Sequence, residues 1–304
     1  MSKYLEKFIL PQQETEEKII MRRMDKNGGA FGYIDNIYPC SLFLEKELTE
    51  IDFSNITILY GGNGSGKSTL LNLIAEKVGL KRVAPYNSSE VFDDYVEACK
   101  IVMAEDENGF VIKSVPHNSR IITSDDIFDY MLTARENNSD IAENTDEMRD
   151  EWYHLKFGKT IRLDGLENYE EFYKQVNARK KSLSRRKYLY KMAGKEVKLN
   201  SNGETAIDYF ANKLTNDCLY CLDEPENSLS PKFQQELVGV IYRKARYCGC
   251  QFVIATHSPF VLALPGAKIY DLDSIPVDVK KWWELENTKK YFKFFKENER
   301  LFLK

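Results

Sequence analysis

One stretch constrains this chain more than any other. Residues Gly61-Gly62-Asn63-Gly64-Ser65-Gly66-Lys67-Ser68 fit the pattern G-x-x-x-x-G-K-[ST]. At ordinary residue usage a chain of this length meets that pattern by accident about once in a hundred. The context fits as well. Ile56–Tyr60 is an apolar run that reads as a buried strand, and Lys67–Val78 reads as a helix, with Leu70, Ile74 and Val78 on one stripe and Gly79 at its C-terminal end. Strand, glycine loop and helix together make a phosphate cradle. Glycines let the backbone wrap so that several N–H groups converge on an anion. The helix adds its electropositive N-terminus. Lys67 then places a point charge on the β- and γ-phosphates, and the Ser68 hydroxyl is a Mg²⁺ ligand.

A second strand carries the matching acids. Leu219-Tyr220-Cys221-Leu222 is apolar and ends in Asp223-Glu224. Beside a P-loop, Mg²⁺ needs a second anchor at such a strand end, and Asp223 is the candidate. Glu224 follows as the general base that polarises the attacking water. On its own the pair would read as solvated acids; the P-loop in the same chain makes the functional reading the better one. His257 ends a third apolar run, Phe252 to Thr256. A lone histidine there is usually a core residue, but the order P-loop, acid pair, strand-end histidine favours a donor beside the γ-phosphate. Lys67, Glu224 and His257 are therefore the candidate catalytic residues.

The rest of the chain organises around these motifs. Residues 30–60 read as short strands, and 99–104 with 109–113 as a hairpin around Glu105-Asp106-Glu107-Asn108. Residues 125–198 are long, polar and helical, acidic in the first half and basic in the second. They read as a helical lobe inserted into one domain spanning 1–304. Ile207, Phe210, Ala211 and Leu214 mark a helical stripe. Ser230-Pro231 suits an N-cap and first turn, followed by Phe233, Leu237, Val240 and Ile241. The last thirty residues read as one or two helices whose aromatics, Trp282, Trp283, Tyr291, Phe294, Phe295 and Phe302, are expected to pack on the core. Cys218 and Cys221 stand at C-x-x-C spacing, but residues three apart on a strand face opposite ways. Buried thiols in a reducing compartment are the better reading than zinc.

In order and spacing these motifs resemble the ABC-type ATPases. Gly61 to Thr69 looks like Walker A, Leu219 to Glu224 like Walker B, Ser201-Asn202-Gly203-Glu204 like the signature motif, Asn227 to Pro231 like a D-loop and His257 like the switch histidine. The run Asp223-Glu224-Pro225-Glu226, with Ala255-Thr256-His257-Ser258-Pro259, looks more like the soluble "AAA family" ATPases related to RecF, SMC and OLD-type proteins than like transporter subunits. The resemblance implies an α/β P-loop NTPase fold of the ABC-ATPase type: a mostly parallel core sheet, an antiparallel β subdomain and an inserted helical lobe. It implies ATP and Mg²⁺ as cofactors and a homodimer closed head to head on ATP, with Ser201 and Gly203 acting on the partner's nucleotide. Two features depart from the pattern. No glutamine stands at the Q-loop place, where Ser124, Asp125 or Asp126 is the substitute and Gln175 comes too late. The adenine-stacking aromatic is Tyr38 or, alternatively, Tyr33.

Composition narrows the partners. A net charge of −4 gives no global basic field. The basic run from Arg179 to Lys198, with Tyr188 and Tyr190, is the one candidate surface for DNA or RNA, its alternative being a solvated helix face. With only three histidines, His117, His154 and His257, no nuclease centre is legible, so a nuclease or other effector is expected on a separate chain. No signal-peptide core and no run of eighteen apolar residues stands in the sequence, which points to a cytoplasmic protein without a membrane span. Two classes of role remain: a nucleic-acid-linked switch in repair or anti-phage defence, or a regulatory ATPase that assembles a protein complex.

Overall fold

The computed structural model describes residues 3–26, 34, 36–133, 155, 172–173, 175–176, 179, 202–227 and 229–303. Strands β3 (Ile56–Tyr60) and β7 (Gln251–Thr256) are buried at every position, and β6 (Leu219–Asp223) at all but its last. Such continuous apolar runs belong at the centre of a sheet covered on both faces. They lie side by side in a six-stranded sheet of order β5 (Arg120–Thr123), β6, β7, β3, β8 (Lys268–Asp271), β9 (Asp278–Lys280). All neighbours are parallel except β8 and β9. The register sets Tyr60 opposite Thr256, Asp223 opposite Ala255 and Thr123 opposite Asp223. The C-terminal ends of four strands therefore share one edge, where parallel α/β sheets hold their ligands.

A smaller antiparallel sheet runs in the order β2 (Glu50–Asp52), β1 (Leu5–Ile9), β4 (Lys100–Met103). Helix α2 (Lys67–Val78) is buried along its first nine residues apart from Ser68. Its Leu70, Leu71, Leu73, Ile74 and Ala75 join one core with Leu5, Phe8 and Ile51 of the small sheet and Leu59, Cys221 and Val253 of the large one. Gly79 ends the helix at φ 73°, and its N–H closes back on Ala75 and Glu76. The two sheets are stitched by the fully buried Gln251. Its Oε1 accepts from the Tyr4 and Leu5 amides, both at 2.9 Å, and its Nε2 donates to the Leu5 and Ser54 carbonyls at 3.0 and 3.1 Å. Every hydrogen-bonding position of that buried amide is used, as its burial requires.

Several elements differ from the sequence reading. Between 36 and 47 the chain runs in turns instead of strands, because Ser41 and Glu47 take positive φ (68° and 52°) and Asn36 Oδ1 accepts from the Tyr38 amide. The expected hairpin survives as a tight turn at 106–109 with an isolated Glu105–Val111 bridge, while β4 pairs with β1. In α4 (Asn202–Lys213) the buried face runs through Ala206, Tyr209 and Phe210, and Ala211 is exposed. Helix α5 (Pro231–Tyr247) starts at Pro231 as expected, with Ser230 at its N-cap, and buries Leu237, Ile241 and Ala245. Cys218, Cys221 and Cys250 are buried free thiols, and burial pushes Cys221 and Cys250 up.

The largest difference is at helix α7 (Glu286–Glu297). Only Thr288 of the helix and Leu285 before it are buried, whereas Phe292 is 67% exposed, Phe295 53% and Phe302 68%. Lys289, Lys290 and Lys293 are exposed as well, and Lys296 Nζ lies over the Phe292 ring at 5.8 Å. The helix is tethered at its first turn, where the Asn287 amide donates to the Tyr60 hydroxyl at 3.2 Å, and Phe295 meets Phe294 and Phe302 edge to face.

The chain falls into two compact units, Met1–Phe128 with Asn202–Lys304, and Asp129–Ser201. In the second, Arg179 Nε donates to the Leu155 carbonyl at 3.3 Å. The rest of the basic run, from 180 to 198, lies outside the described residues, as does most of the expected lobe.

Candidate active site

The glycine loop is held in shape from both sides. Gly64 and Gly66 sit at φ 78° and 95°, where an L side chain is strained, and a Cβ on Gly61 would overlap the Ser65 hydroxyl. Lys67 is 4% exposed, and its Nζ donates to the Gly61 and Gly62 carbonyls at 2.9 and 3.0 Å. Ser65 Oγ is buried without a hydrogen-bond partner among the described residues. An orphaned hydroxyl beside a buried ammonium and a helix N-terminus fits a phosphate group. From outside, Asp273 accepts from the Gly62 amide at 2.8 Å.

The strand-end acids meet this loop. Ser68 Oγ donates to Asp223 Oδ1 at 3.0 Å, so the two expected Mg²⁺ ligands touch. Burial pushes the Asp223 carboxyl up to about 6. The Ser68 hydrogen bond opposes that shift, the Glu224 charge reinforces it and Lys67 opposes it again. A hard-oxygen pair that burial leaves short of positive charge fits a divalent cation. Glu224 takes a left-handed backbone (φ 46°), held by its N–H to the Ala255 carbonyl at 2.9 Å. Asn227 Nδ2 donates to its Oε2 at 2.9 Å. Its Oε1 lies 3.7 Å from Lys67 Nζ and 3.6 Å from His257 Nδ1. Lys67, Glu224 and His257, spread over 190 residues of sequence, converge on one point.

A cleft of about 620 Å³ opens over the P-loop between Asn63–Thr69, Glu224 and the turn carrying Tyr38 to Leu42. The structure brings Tyr38 here: its hydroxyl donates to Thr69 Oγ1 at 2.8 Å, and its ring stacks on Phe92 with centroids 6.1 Å apart. Tyr33 lies outside the described residues. The turn rests on Glu16, a buried carboxylate accepting from the Ser41 amide at 2.6 Å and the Tyr95 hydroxyl at 3.1 Å; burial raises its pKa above the usual carboxylate value.

Other expected residues are placed differently. Gly203 is buried at the start of α4, where a Cβ would run into the Phe233 ring of α5; it does not line its own chain's cleft. Ser201 lies outside the described residues. Asp126 is taken up structurally. Its Oδ2 accepts from the Thr123 amide and hydroxyl at 2.8 and 3.0 Å, and its Oδ1 from the Ala84 amide at 3.1 Å. It is thus no free substitute for a Q-loop glutamine. Ser124 and Asp125 directly follow Thr123, the register partner of Asp223. Sequence reasoning missed Glu16, Asp273 and Glu226. The signal for Glu16 was an acid on the apolar stripe of α1 (Gln13–Lys26), three residues before the buried Ile19. Asp273 left no local signal.

Comparison with known proteins finds two matching family models and a set of similar solved structures. A family model described as ABC transporter matches residues 49–227. A second, described as AAA domain, putative AbiEii toxin, Type IV TA system, matches residues 211–263. Among similar solved structures is the Smc head domain of Pyrococcus furiosus bound to the C-terminal domain of ScpA, 14% identical, covering 82% of this chain and 95% of that one at a TM-score of 0.40. Another is the SMC head domain from Thermotoga maritima, 14% identical over 88% and 94%, TM-score 0.39. A third is a dimeric ATP-binding cassette in a post-hydrolysis state bound to ADP and Pi, 14% identical over 77% and 88%, TM-score 0.35. No curated protein matches. The match from β2 through the acid pair spans more than half of the chain, so this protein belongs to the ABC transporter family through its ATPase domain and is an ATP-binding, ATP-hydrolysing enzyme.

Proposed function

We propose that the chain is a Mg²⁺-dependent cytoplasmic ATPase whose two copies close head to head on ATP, and that this closure works as a switch in a nucleic-acid-linked system of repair or anti-phage defence. The observation that carries the chemistry is the meeting of Ser68 with Asp223 beside the Lys67–Glu224–His257 cluster. Lys67 and the loop amides hold the phosphates. Ser68 and Asp223 hold the Mg²⁺, which when bound offsets negative charge on the phosphate oxygens. Tyr38 stacks on the adenine. Glu224 is kept from turning away by Asn227 and accepts the proton of the attacking water. His257, whose Nδ1 lies 3.6 Å from Glu224 Oε1, donates toward the charge that develops on the γ-phosphate. Ser201 and Gly203 complete the partner's site, where the N-terminal dipole of α4 favours the γ-phosphate.

The biological half of the proposal draws on the segment similar to a putative toxin of a type IV toxin–antitoxin system and on the basic run from Arg179 to Lys198. Its test is nucleic-acid binding by the Glu224→Gln protein with ATP and Mg²⁺ at two salt concentrations. ATP-dependent binding that weakens steeply with salt is expected. No binding by a dimer trapped on ATP would remove nucleic acid from the proposal. The exposed aromatic face of α7 favours a second reading, in which the ATPase assembles a protein complex and that face is the docking surface for an effector chain. In that case Phe292→Ser with Phe295→Ser abolishes co-purification of the effector and leaves ATP turnover alone.

A further inference from the structure

We propose that Glu226 is a positioning residue that sets His257 against the hydrolytic carboxylate. It lies three residues past Asp223, outside β6, in the turn that leads to α5, and it is only 4% exposed. One of its oxygens gathers three donors from the end of β7. Thr256 Oγ1 donates to Oε1, and so do the His257 and Ser258 amides, both at 3.2 Å. The other oxygen, Oε2, is buried with no hydrogen-bond partner among the described residues. Burying a carboxylate costs several kcal/mol unless its charge is used. A turn that needed only one acceptor would be served by a neutral side chain. Here one oxygen takes the Thr256 hydroxyl and the His257 and Ser258 amides, and it lies 4.0 Å from His257 Nδ1 itself.

The consequence is geometric. Ser258, held through its amide, donates its hydroxyl to Gln234 Oε1 at 2.7 Å and caps the short helix α6 (Pro259–Leu262), with Phe260 N and Val261 N donating to it at 3.2 and 3.4 Å. The chain is thus fixed on both sides of His257, and the imidazole itself stays 45% exposed with Nδ1 3.6 Å from Glu224 Oε1. The Glu226 carbonyl also accepts from the Leu229 amide at 3.0 Å, so the same residue ties the turn after the acid pair to the histidine strand. Releasing the clamp lets His257 drift from Glu224 while the hydrogen bonds that shape the phosphate cradle, none of which involves Glu226 among the described residues, stay intact. A 1 Å displacement of a group that acts on the reacting atoms is enough to cost about 100-fold in rate.

This inference rests on the assignment of Glu224 and His257 to hydrolysis, and the test separates the two. Steady-state ATP turnover and the Kd for a fluorescent ATP analogue would be measured on the full chain carrying Glu226→Ala, Glu226→Gln, His257→Ala, and the double change Glu226→Ala with His257→Ala. Glu226→Ala is expected to lower kcat about 10- to 100-fold with KM and Kd within about threefold of native. Glu226→Gln keeps an acceptor oxygen but loses the charge that draws three donors to it, so its kcat is expected between those of Glu226→Ala and the native protein. In the His257→Ala background, Glu226→Ala costs little more, because the two act as a unit. A native kcat for His257→Ala would overturn the histidine assignment. A reduced kcat for His257→Ala beside a native kcat for Glu226→Ala, or losses that multiply in the double variant, would overturn the positioning role alone. Should Glu226→Ala fail to fold, Glu226→Asp withdraws the acceptor but keeps the charge. A low kcat with native Kd then supports the role, and a native kcat overturns it.

Discussion

The P-loop edge and helix α7 are built on opposite economies. At the edge, polar side chains are held by other groups of the protein whatever their exposure: the buried Lys67 by the loop carbonyls, the exposed Ser68 by Asp223, the half-buried Glu224 by Asn227. On α7, large apolar side chains stand in solvent, and the described ion pairs, Lys290 with Glu286 and Lys293 with Glu297, are surface pairs of one helix turn. Rigid polar groups cost folding energy and are kept where geometry matters to a reaction. Exposed aromatics cost solubility and are kept where something binds. The contrast separates the part of the molecule that does chemistry from the part that offers a surface.

The comparison breaks most sharply at the edge. Lys67→Ala should abolish measurable nucleotide binding, a loss of at least about 100-fold in Kd by titration, because a buried charge on the phosphates is removed. Glu224→Gln should keep Kd within a few-fold but lower kcat at least about 100-fold; turnover at the native rate would remove the base assignment. Gly61→Ala, which drives a methyl into Ser65, should weaken ATP binding about tenfold with the fold intact by circular dichroism.

A smaller effect concerns pH. The folded pKa of Asp223 stands at about 6, above the ordinary carboxylate value, so its contribution to stability is fully present below pH 4 and lost as pH rises through 6. Without nucleotide or Mg²⁺, Asp223→Asn should therefore be more stable than the native protein at pH 7.5, by on the order of 2 kcal/mol in urea melts. The gain should shrink by pH 5. A gain that stayed constant with pH would mean the carboxylate is not penalised by burial. The smallest effect belongs to α7. Phe292→Ser with Phe295→Ser should move stability by about 0.5 kcal/mol or less. A loss above about 2 kcal/mol would show that the face is packed and erase the contrast.

What could be read in the sequence follows the same divide. The P-loop, α2 and the three central strands were legible because each is announced locally, by glycine spacing or by an unbroken apolar run. Glu16, Glu226 and Asp273 were not, since their partners lie 25 to 211 residues away and such bonds leave no period in the sequence. The aromatics of α7 were legible too, but the expectation that they pack on the core failed: Tyr291, Phe294, Phe295 and Phe302 stand exposed. Periodicity misplaced Ala211, because the face that α4 buries runs through Gly203, Ala206, Tyr209 and Phe210, about one residue away from the expected stripe.

Gln251 carries one more consequence. The amides of Tyr4 and Leu5 owe their hydrogen bonds to a side chain 246 or more residues away, rooted in the central strand of the other sheet. Local breathing of the small sheet cannot free them, because their acceptor does not belong to it. In hydrogen–deuterium exchange these two amides should keep time with the centre of β7, so a strand near the surface of the sequence becomes a clock for the cooperative opening of the whole ATPase core.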